Sequence, residues 1–421
     1  MKDICPHNDC TGCALCAFVC PQACITMRPG ALGHMYPHID ASGCIDCGAC
    51  VRACPFAVSS GFVASAVSSV SSGSSVSSGS AASSGFAASI RSVPSAVPGT
   101  AFAAWAKDSG EYLSSASGGA ASVLSRLILS DGGVVYGSTA GSDGSGRFGI
   151  RHIRVDSEDD LWRLKGSKYV HSSITGVLSQ LRDDVRGGRP VLFTGMPCQA
   201  VAVRKMFPDE PENLLIVDLV CHGVPSEAFF LEYVRKNLKI SLSSVSSVTF
   251  RDGDEFRMTV KGEDGKVLYT HRPLSGLRIE DLYYNLFMDG FTYRDSCYRC
   301  PYAGMKRVSD MTIGDFWGLD KSVPAPGHGV SLILPVTDKG KRFAGRLAAM
   351  MTLVSRPVGE AAAGNDQLRS PRHRSIRIRL FRRLEKIFGP SVYYVLVFDL
   401  MLRRRLKYKK KFAAPKNNLR P

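Results

Sequence analysis

The sequence predicts two unlike folding units: a small α+β unit at the N-terminus and a larger α/β domain with a mixed sheet. Three observations predict this. Two dense cysteine runs lie before residue 55. Apolar stretches between residues 100 and 336 read by turns as strands and helices. Between them, residues 59–99 change abruptly to serine, alanine, glycine and valine. That stretch has no period of 2 or 3.6 and reads as a flexible linker, with a packed strand-rich segment around Val63, Val67, Val70 and Val76 as the alternative. At 421 residues the chain has room for two or three domains. The boundaries predicted are 1–58, the linker 59–99, 100–368 and a basic tail 369–421.

The first unit is organised by its cysteines. Cys10, Cys13, Cys16 and Cys20 are followed by Pro21, and Cys44, Cys47, Cys50 and Cys54 by Pro55, with the same spacing in both runs. This is the spacing of a two-cluster ferredoxin, in which the fourth cysteine of each run ligates the other cluster. Cys10, Cys13, Cys16 and Cys54 are therefore expected to hold one 4Fe–4S cluster, and Cys44, Cys47, Cys50 and Cys20 a second. Zinc uses four ligands and does not explain eight in two such runs. Disulfides need an oxidising compartment, and no secretory signal precedes the first run. Ile25 to Met27 and Tyr36 to Ile39 read as the short strands between the runs. Cys5 and Cys24 fall outside the pattern and read as small buried residues.

Fourteen cysteines are many, but ten precede residue 55 and the others are Cys198, Cys221, Cys297 and Cys300. That clustering points to metal ligation and not to a disulfide framework. The longest apolar run, Val392 to Leu402, is too short to span a bilayer and contains Asp399. The expected location is the cytoplasm, where thiolates stay reduced. The net charge is +16, yet residues 369–421 alone carry 17 Lys/Arg and 2 Asp/Glu. The body of the chain is therefore nearly neutral, and the positive charge is an appendage.

In the second domain, Phe102 to Ala106 reads as a strand. Ser115-Ala116-Ser117-Gly118-Gly119 follows and opens a helix, Ala120 to Leu129. A small, hydroxyl-rich glycine turn at a helix start can cradle phosphate through free N–H groups and the helix dipole. Gly132-Gly133 then turns into a strand, Val134 to Gly137. Lys165-Gly166-Ser167-Lys168 is a second phosphate candidate, or a solvated basic turn. Pro190 to Gly195 is a buried strand that runs into Met196-Pro197-Cys198-Gln199 and a helix through Met206. Leu214 to Val220 is its expected parallel partner, ending at Cys221-His222-Gly223. Both strands deliver a cysteine at their carboxyl ends, the edge where open α/β sheets bind ligands. Ser226 reads as the cap of a helix to Asn237. Strands at Val248 to Phe250, Phe256 to Val260 and Val267 to Tyr269 follow, with a turn at Glu263 to Lys266. A helix from Ile279 to Asp289, the Cys297-x2-Cys300 turn and a final strand, Val330 to Val336, complete the domain. Four thiolates from Cys198, Cys221, Cys297 and Cys300 would hold a third 4Fe–4S cluster; zinc is the alternative for the same four.

Ser115 to Gly119, Lys165 to Tyr169, Thr194 to Gln199, Cys221 to Gly223 and Cys297 to Gly318, in that order, resemble the beta subunits of coenzyme F420 (deazaflavin) hydrogenases and dehydrogenases. The ferredoxin unit ahead of them resembles the fused bacterial members, several of which lie in polysaccharide gene neighbourhoods. The resemblance implies an α+β ferredoxin-like N-terminal domain joined to an α/β flavin/iron–sulfur domain with mixed sheet. It implies FAD, with Ser115, Ser117, Gly118, Gly119, Lys165, Gly166, Ser167, Lys168, Thr194 and Gly195 as its contacts, and Cys198, Cys221, Cys297 and Cys300 as ligands of the third cluster. Asp310 and Asp315 either shape the flavin or substrate face or are structural. The implied function is an iron–sulfur flavoprotein oxidoreductase passing electrons between one-electron clusters and a two-electron substrate, the deazaflavin coenzyme or another small molecule. A non-catalytic electron-transfer subunit of a larger redox complex is the rival. The expected partners are a ferredoxin-like donor or complex subunits. In the tail, Ile376, Leu380, Phe381, Leu384, Ile387 and Phe388 read as one apolar helical face among arginines. With the basic run Arg403 to Lys411 beyond it, that suits an anionic membrane surface; a solvated tail that docks an acidic partner is the alternative, and nucleic acid the weaker reading.

Overall fold

The computed structural model describes residues 4–57, 93, 95–143, 145–251, 256–270 and 281–388. The stretch expected to be a linker lies almost wholly outside the described residues. So do the apolar run Val392 to Leu402 and the basic run Arg403 to Lys411.

The N-terminal unit traces one path twice. Gly12 and Ala14 have φ of +70° and +61°, and 34 residues later Asp46 and Gly48 have φ of +49° and +69°. These left-handed residues turn each Cys-x2-Cys segment back on itself. Helices α1 (Leu15–Phe18) and α2 (Ala49–Ala53) start directly after them. Between the runs, strand β1 (Ile25–Pro29) pairs antiparallel with β2 (Met35–Ile39), Ile25 opposite Ile39. The two strands read from the sequence are therefore each other's partners.

The rest forms one eleven-stranded mixed sheet. In chain order its elements are β3 (Ala101–Ala106), α3 (Ser109–Leu113), α4 (Ala120–Ser130), β4 (Val134–Ser142), β5 (Phe148–Val155), α5 (Leu178–Arg186), β6 (Val191–Gly195), α6 (Pro197–Met206), β7 (Leu214–Leu219), α7 (Glu227–Glu232), β8 (Ser247–Thr249), β9 (Thr259–Lys261), β10 (Val267–Thr270), α8 (Leu282–Met288), β11 (Met311–Asp315), β12 (Ser331–Pro335), α9 (Asp338–Leu347), β13 (Met351–Arg356), α10 (Val358–Gly364) and α11 (Ile376–Phe388). The strand order is β10-β9-β8-β4-β6-β7-β11-β12-β3-β13, and β5 pairs with β4. The centre, β4, β6, β7 and β11, is parallel, and β12, β3 and β13 complete it in antiparallel pairs.

Helices cover both faces, so the central strands are apolar on both. Val135, Leu192 and Leu215 pack with Val123, Leu124 and Leu347 on one side. Val134, Val191, Phe193 and Ile216 pack with Leu178, Leu181 and Val203 on the other, where Leu15 of the N-terminal unit joins them. Ser226 caps α7 as expected, its Oγ accepting from the Phe229 N–H at 3.0 Å.

Three readings need correction. β5 was not expected, and β13 follows the strand taken as final. The beginning of the helix expected from Ile279 lies outside the described residues; α8 starts at Leu282 with Asp281 as its cap. The apolar residues of α11 also divide between two faces. Ile378 and Phe381 are buried with Phe291, Tyr293 and Tyr298, while Ile376, Leu380, Ile387 and Phe388 are exposed.

Two ion pairs sit inside this core. Asp310 accepts from Arg204 Nη2 (3.0 Å), the Ile216 N–H (2.8 Å) and Thr337 Oγ1 (2.9 Å), tying α6, β7 and the cap of α9 together. Arg307 lies 2.9 Å from Asp218 at the carboxyl end of β7, and both are essentially inaccessible. Removing one partner of a buried pair strands the other charge. Arg307→Met is expected to lower the thermal unfolding midpoint by roughly 5 °C or more. An unchanged midpoint in a melting experiment would show that the pair carries no such role.

Candidate functional site

The first cysteine set is gathered, with Cys16 and Cys54 buried and Cys10 and Cys13 half-buried. Cys10, Cys13, Cys16 and Cys54 line one small cavity with Ile4, Met27 and Phe56. Each run thus contributes to the same hollow, with the fourth cysteine of the second run facing the first three of the first. Backbone N–H groups point at the sulfurs: Phe56 N donates to Cys54 Sγ at 3.4 Å, and Gly12, Leu15 and Ala17 act on Cys10, Cys13 and Cys16. Hydrogen bonds of this kind set cluster potentials. Burial pushes the Cys13 thiol up to about 12.

Cys5 belongs to this hollow too. Contact with its thiol, joined by the Arg294 guanidinium and the Gly12 N–H, pulls Cys10 down to about 6. Cys5 contacts Cys54 as well and is itself driven up by both neighbours. Cys24 stands in the same relation to the second set: its Sγ is 3.4 Å from Cys20 Sγ, and it also contacts Cys44. The reading of both as merely small buried residues missed this, because the spacing rule counts ligands and not neighbours. The second set lies at the surface, with Cys44 and Cys47 exposed and Cys20 and Cys50 half-buried.

The four remaining cysteines come from three places in the chain and meet at the end of the sheet. Cys198 follows β6, Cys221 follows β7, and Cys297 and Cys300 lie on the turn between α8 and β11. All four line one cavity with Thr11, His171, Arg294 and Tyr302. Arg307 holds this assembly: Nη2 donates to Leu219 O (3.1 Å), two residues before Cys221, and Nη1 to Tyr302 O (2.7 Å), two after Cys300. Burial raises all four thiols, Cys221 to about 12 and Cys300 to about 11. The N–H groups of Gly223 and of Tyr302 and Ala303 oppose it at Cys221 and Cys300. Four buried thiols with N–H donors fit an iron–sulfur cluster. Zinc, the alternative for the same four, would need all four sulfurs about 2.3 Å from one centre; among the described residues no group of three or more His, Cys, Asp or Glu side chains is placed so that it could hold a metal ion.

Beside this lies a cavity of about 560 Å³, within the range of cofactor sites. Met196, Cys221, His222, Gly223 and Val224 belong to its wall and to that of the four-cysteine cavity. The carboxyl ends of β6, β7 and β11 open into it through Thr194, Gly195, Leu219 and Asp315. Ser115, Ser117 and Gly119 line it from one side, and Lys165, Gly166, Ser167 and Lys168 from another. Gly118 does not line it. A Cβ at that position would lie 2.0 Å from Ala104 O, so Gly118 lets the turn sit against β3. Gly119, φ +88°, starts α4 with no side-chain cap. Ser117 Oγ and Ser138 Oγ are buried without a hydrogen-bond partner on this wall.

The two lysines differ. Lys165 is already paired, Nζ 2.9 Å from Glu111 Oε1 and donating to Ser114 Oγ at 2.7 Å. Lys168 Nζ donates only to carbonyls, Leu164 O and Lys165 O, both at 2.8 Å. Burial lowers it to about 7. A lysine held this way beside unpartnered hydroxyls and a helix start is prepared for an anion. Part of the cavity wall is aromatic, where Tyr169 packs with Phe256 and Phe287. Asp315 lines it and accepts from Arg251 Nη1 at 2.6 Å. Asp310 stays in the core, which separates the roles of the two aspartates.

His152 went unread because β5 did. Its Nε2 donates to Thr194 O (3.0 Å), and its Nδ1 accepts from Ser172 Oγ (2.9 Å). Burial holds the ring near a pKa of 4, so it is neutral and fixes the Thr194 carbonyl at the wall. The apolar alternation of Phe148 to Val155 was the available signal.

Comparison with known proteins follows the same division. A chain of the F420-reducing NiFe hydrogenase complex from Methanosarcina barkeri, solved as a xenon derivative, is 21% identical over 77% of this chain and 96% of its own, with a TM-score of 0.43. No curated protein matches. Residues 188–359 match the family described as the C terminus of the coenzyme F420 hydrogenase/dehydrogenase beta subunit, and residues 9–58 match the 4Fe-4S dicluster domain. With its cysteines placed as above, the chain has a segment that matches a 4Fe-4S dicluster domain, followed by one that matches the C terminus of the coenzyme F420 hydrogenase/dehydrogenase beta subunit.

Proposed function

We propose that the chain is an iron–sulfur flavoprotein oxidoreductase with three 4Fe–4S clusters and one FAD. It would pass electrons to a small molecule, the deazaflavin coenzyme or a substrate of glycan assembly, or serve a larger redox complex as its electron-input subunit. The observation that carries this reading is the shared wall: the four-cysteine cavity and the 560 Å³ cavity have Cys221, His222 and Gly223 in common. When bound, a flavin supplies the conversion between one-electron and two-electron chemistry. Lys168 would carry positive charge against its anionic part, Ser117 and Ser138 would donate to it, and Tyr169, Phe256 and Phe287 would keep water from the wall they form. Cys44 and Cys47, exposed, would face the external donor. The cytoplasm is the compartment in which these thiolates stay reduced.

Protein purified without oxygen is expected to contain about twelve irons and one FAD per chain, and Cys297→Ser about four irons fewer. About eight irons and no flavin in the wild type would leave an electron-transfer protein with no flavin site. Since Lys168 loses its proton near pH 7, the cavity should hold anions best below that pH. The Kd for FAD, read by fluorescence, is expected to rise about tenfold from pH 6 to pH 8, and Lys168→Met should be weak at both. A flat profile in the wild type would remove Lys168 from the site.

A membrane-surface role for α11 has its own support. The helix docks through Ile378 and Phe381 and presents Ile376, Leu380 and Ile387 outward, with Arg377, Arg379 and Arg383 exposed around them. That is the pattern of an interfacial helix for anionic lipid. Among the described residues no helix is long and apolar enough to cross a membrane. Leu380→Glu with Ile387→Glu is expected to abolish sedimentation with phosphatidylglycerol vesicles while iron content holds. Equal pelleting of variant and wild type would end the idea.

A further inference from the structure

Arg294 occupies the junction between the two domains. Only 2% of it is exposed. Its Nε donates to Cys10 O at 2.6 Å and its Nη2 to Met35 O at 2.6 Å, with Nη2 3.5 Å from Cys10 Sγ. The guanidinium carbon lies 4.2 Å from the centre of the Tyr36 ring. Room for it is made by Gly12, where a Cβ would come within 2.7 Å of Arg294 Nη1. The same residue lines the cavity of Cys198, Cys221, Cys297 and Cys300, and its main chain is fixed there, its N–H donating to Val224 O and its carbonyl accepting from the Cys297 N–H.

These partners are carbonyls, a sulfur and a ring, not a carboxylate. A buried arginine costs folding energy unless it meets negative charge. Four thiolates on a 4Fe–4S core carry net negative charge, and one-electron reduction adds more. The residues around Cys10 fit such a group as the counter-ion of Arg294. The second cysteine set has Cys44 and Cys47 in solvent, where water screens any nearby charge.

We propose that Arg294 raises the reduction potential of the inner N-terminal cluster, held by Cys10, Cys13, Cys16 and Cys54, above that of the outer one, and so directs electrons inward toward the four-cysteine site. This rests on the three-cluster reading above. Positive charge beside a cluster favours its reduced, more negative form. The step is a one-electron transfer from the outer cluster, reduced by an external donor, to the inner one. No bond breaks and no proton moves. Arg294 acts as a positioning and charge-bearing residue at the edge of both sites.

The test is a redox titration followed by electron paramagnetic resonance on full-length wild type, Arg294→Gln and Arg294→Lys, with iron counted in each. In the glutamine variant one N-terminal signal is expected to move to lower potential. At the wild-type midpoint its reduced-to-oxidised ratio should fall at least tenfold, equivalent to 59 mV for a one-electron couple. The lysine variant, which keeps the charge, should stay close to wild type, and the outer signal should not move. A fully loaded glutamine variant with unmoved midpoints overturns the role of Arg294 alone, as does an equal fall in both variants. Wild type without iron would overturn the three-cluster reading as well. Should the glutamine variant lose iron, wild type labelled with nitrogen-15 in its arginine guanidinium groups decides. A nitrogen-15 coupling on one N-terminal signal is expected, and its absence overturns the proposal.

Discussion

The geometry of the interior site depends on one buried ion pair, Arg307 with Asp218. Asp218 is the fifth residue of β7 and Cys221 lies three residues beyond it, so whatever fixes Asp218 fixes the cysteine. Arg307 answers with directed bonds: to Thr312 Oγ1 of β11, to Leu219 O of β7 and to Tyr302 O beside Cys300. Thr312 Oγ1 in turn donates to Asp218 Oδ1 at 2.5 Å. The last residues before the domain, at Ala96, bridge to the Arg307 main chain as well. An apolar pair of the same volume could fill this space, but packing without direction would leave the Cys297–Cys300 turn free to slide along the strand ends. A satisfied polar network selects one arrangement. Burial of such a pair is weak evidence for added stability and better evidence for specified position.

The thiols themselves work against the site until iron arrives. Burial raises Cys13 and Cys16 of the inner set and all four thiols of the interior set, while contact with Cys5 lowers Cys10 and Cys54. A bound cation inverts that balance, because a coordinating thiol is deprotonated outright. Where a cluster binds such thiols, its assembly would be coupled to folding. The exposure of the cysteines also separates the outer set from the other two: Cys44 and Cys47 are exposed, whereas Cys10, Cys13, Cys16, Cys54, Cys198, Cys221, Cys297 and Cys300 are half-buried or buried, and the Tyr302 phenol feels Cys300, Cys198, Cys13 and Cys54 together.

Much of this was legible because it is written locally. The repeated cysteine spacing names its chemistry, and two apolar strands ending in Cys198 and Cys221 place those residues at a sheet edge. The Ser115 to Gly119 turn and the Lys165 to Lys168 turn were read as candidate anion sites, and all of their residues but Gly118 line one cavity. What the sequence hid is set by distant neighbours. Nothing near Gly118 says that Ala104 O will press on it, and nothing near Lys165 says that Glu111 will claim its charge while Lys168 is left without one. Arg294 reads as an ordinary arginine before a Cys-x2-Cys turn; its partner Cys10 is 284 residues away. In α11 the helical period was right but the single apolar face was not, since Phe381 packs with Phe291 while Ile376, Leu380, Ile387 and Phe388 stay exposed. β5 escaped because Gly149 sits within it and its apolar residues, Phe148, Ile150, Ile153 and Val155, change phase halfway along.

The docking of the N-terminal unit decides whether the order of sites is a path or a coincidence. Electron transfer weakens steeply with distance, so two clusters on a loose tether would exchange electrons only when they met. Here the unit is held at several independent points. Leu32 O accepts from Ser226 Oγ at the start of α7, His34 Nε2 donates to Thr292 O, and Gly33 packs where even a methyl group would meet Ala228. Leu15 is buried among the residues of α5 and α6. With Arg294 inserted between Cys10 and Met35, these contacts fix the inner cysteines against the wall that holds Cys198 and Cys221.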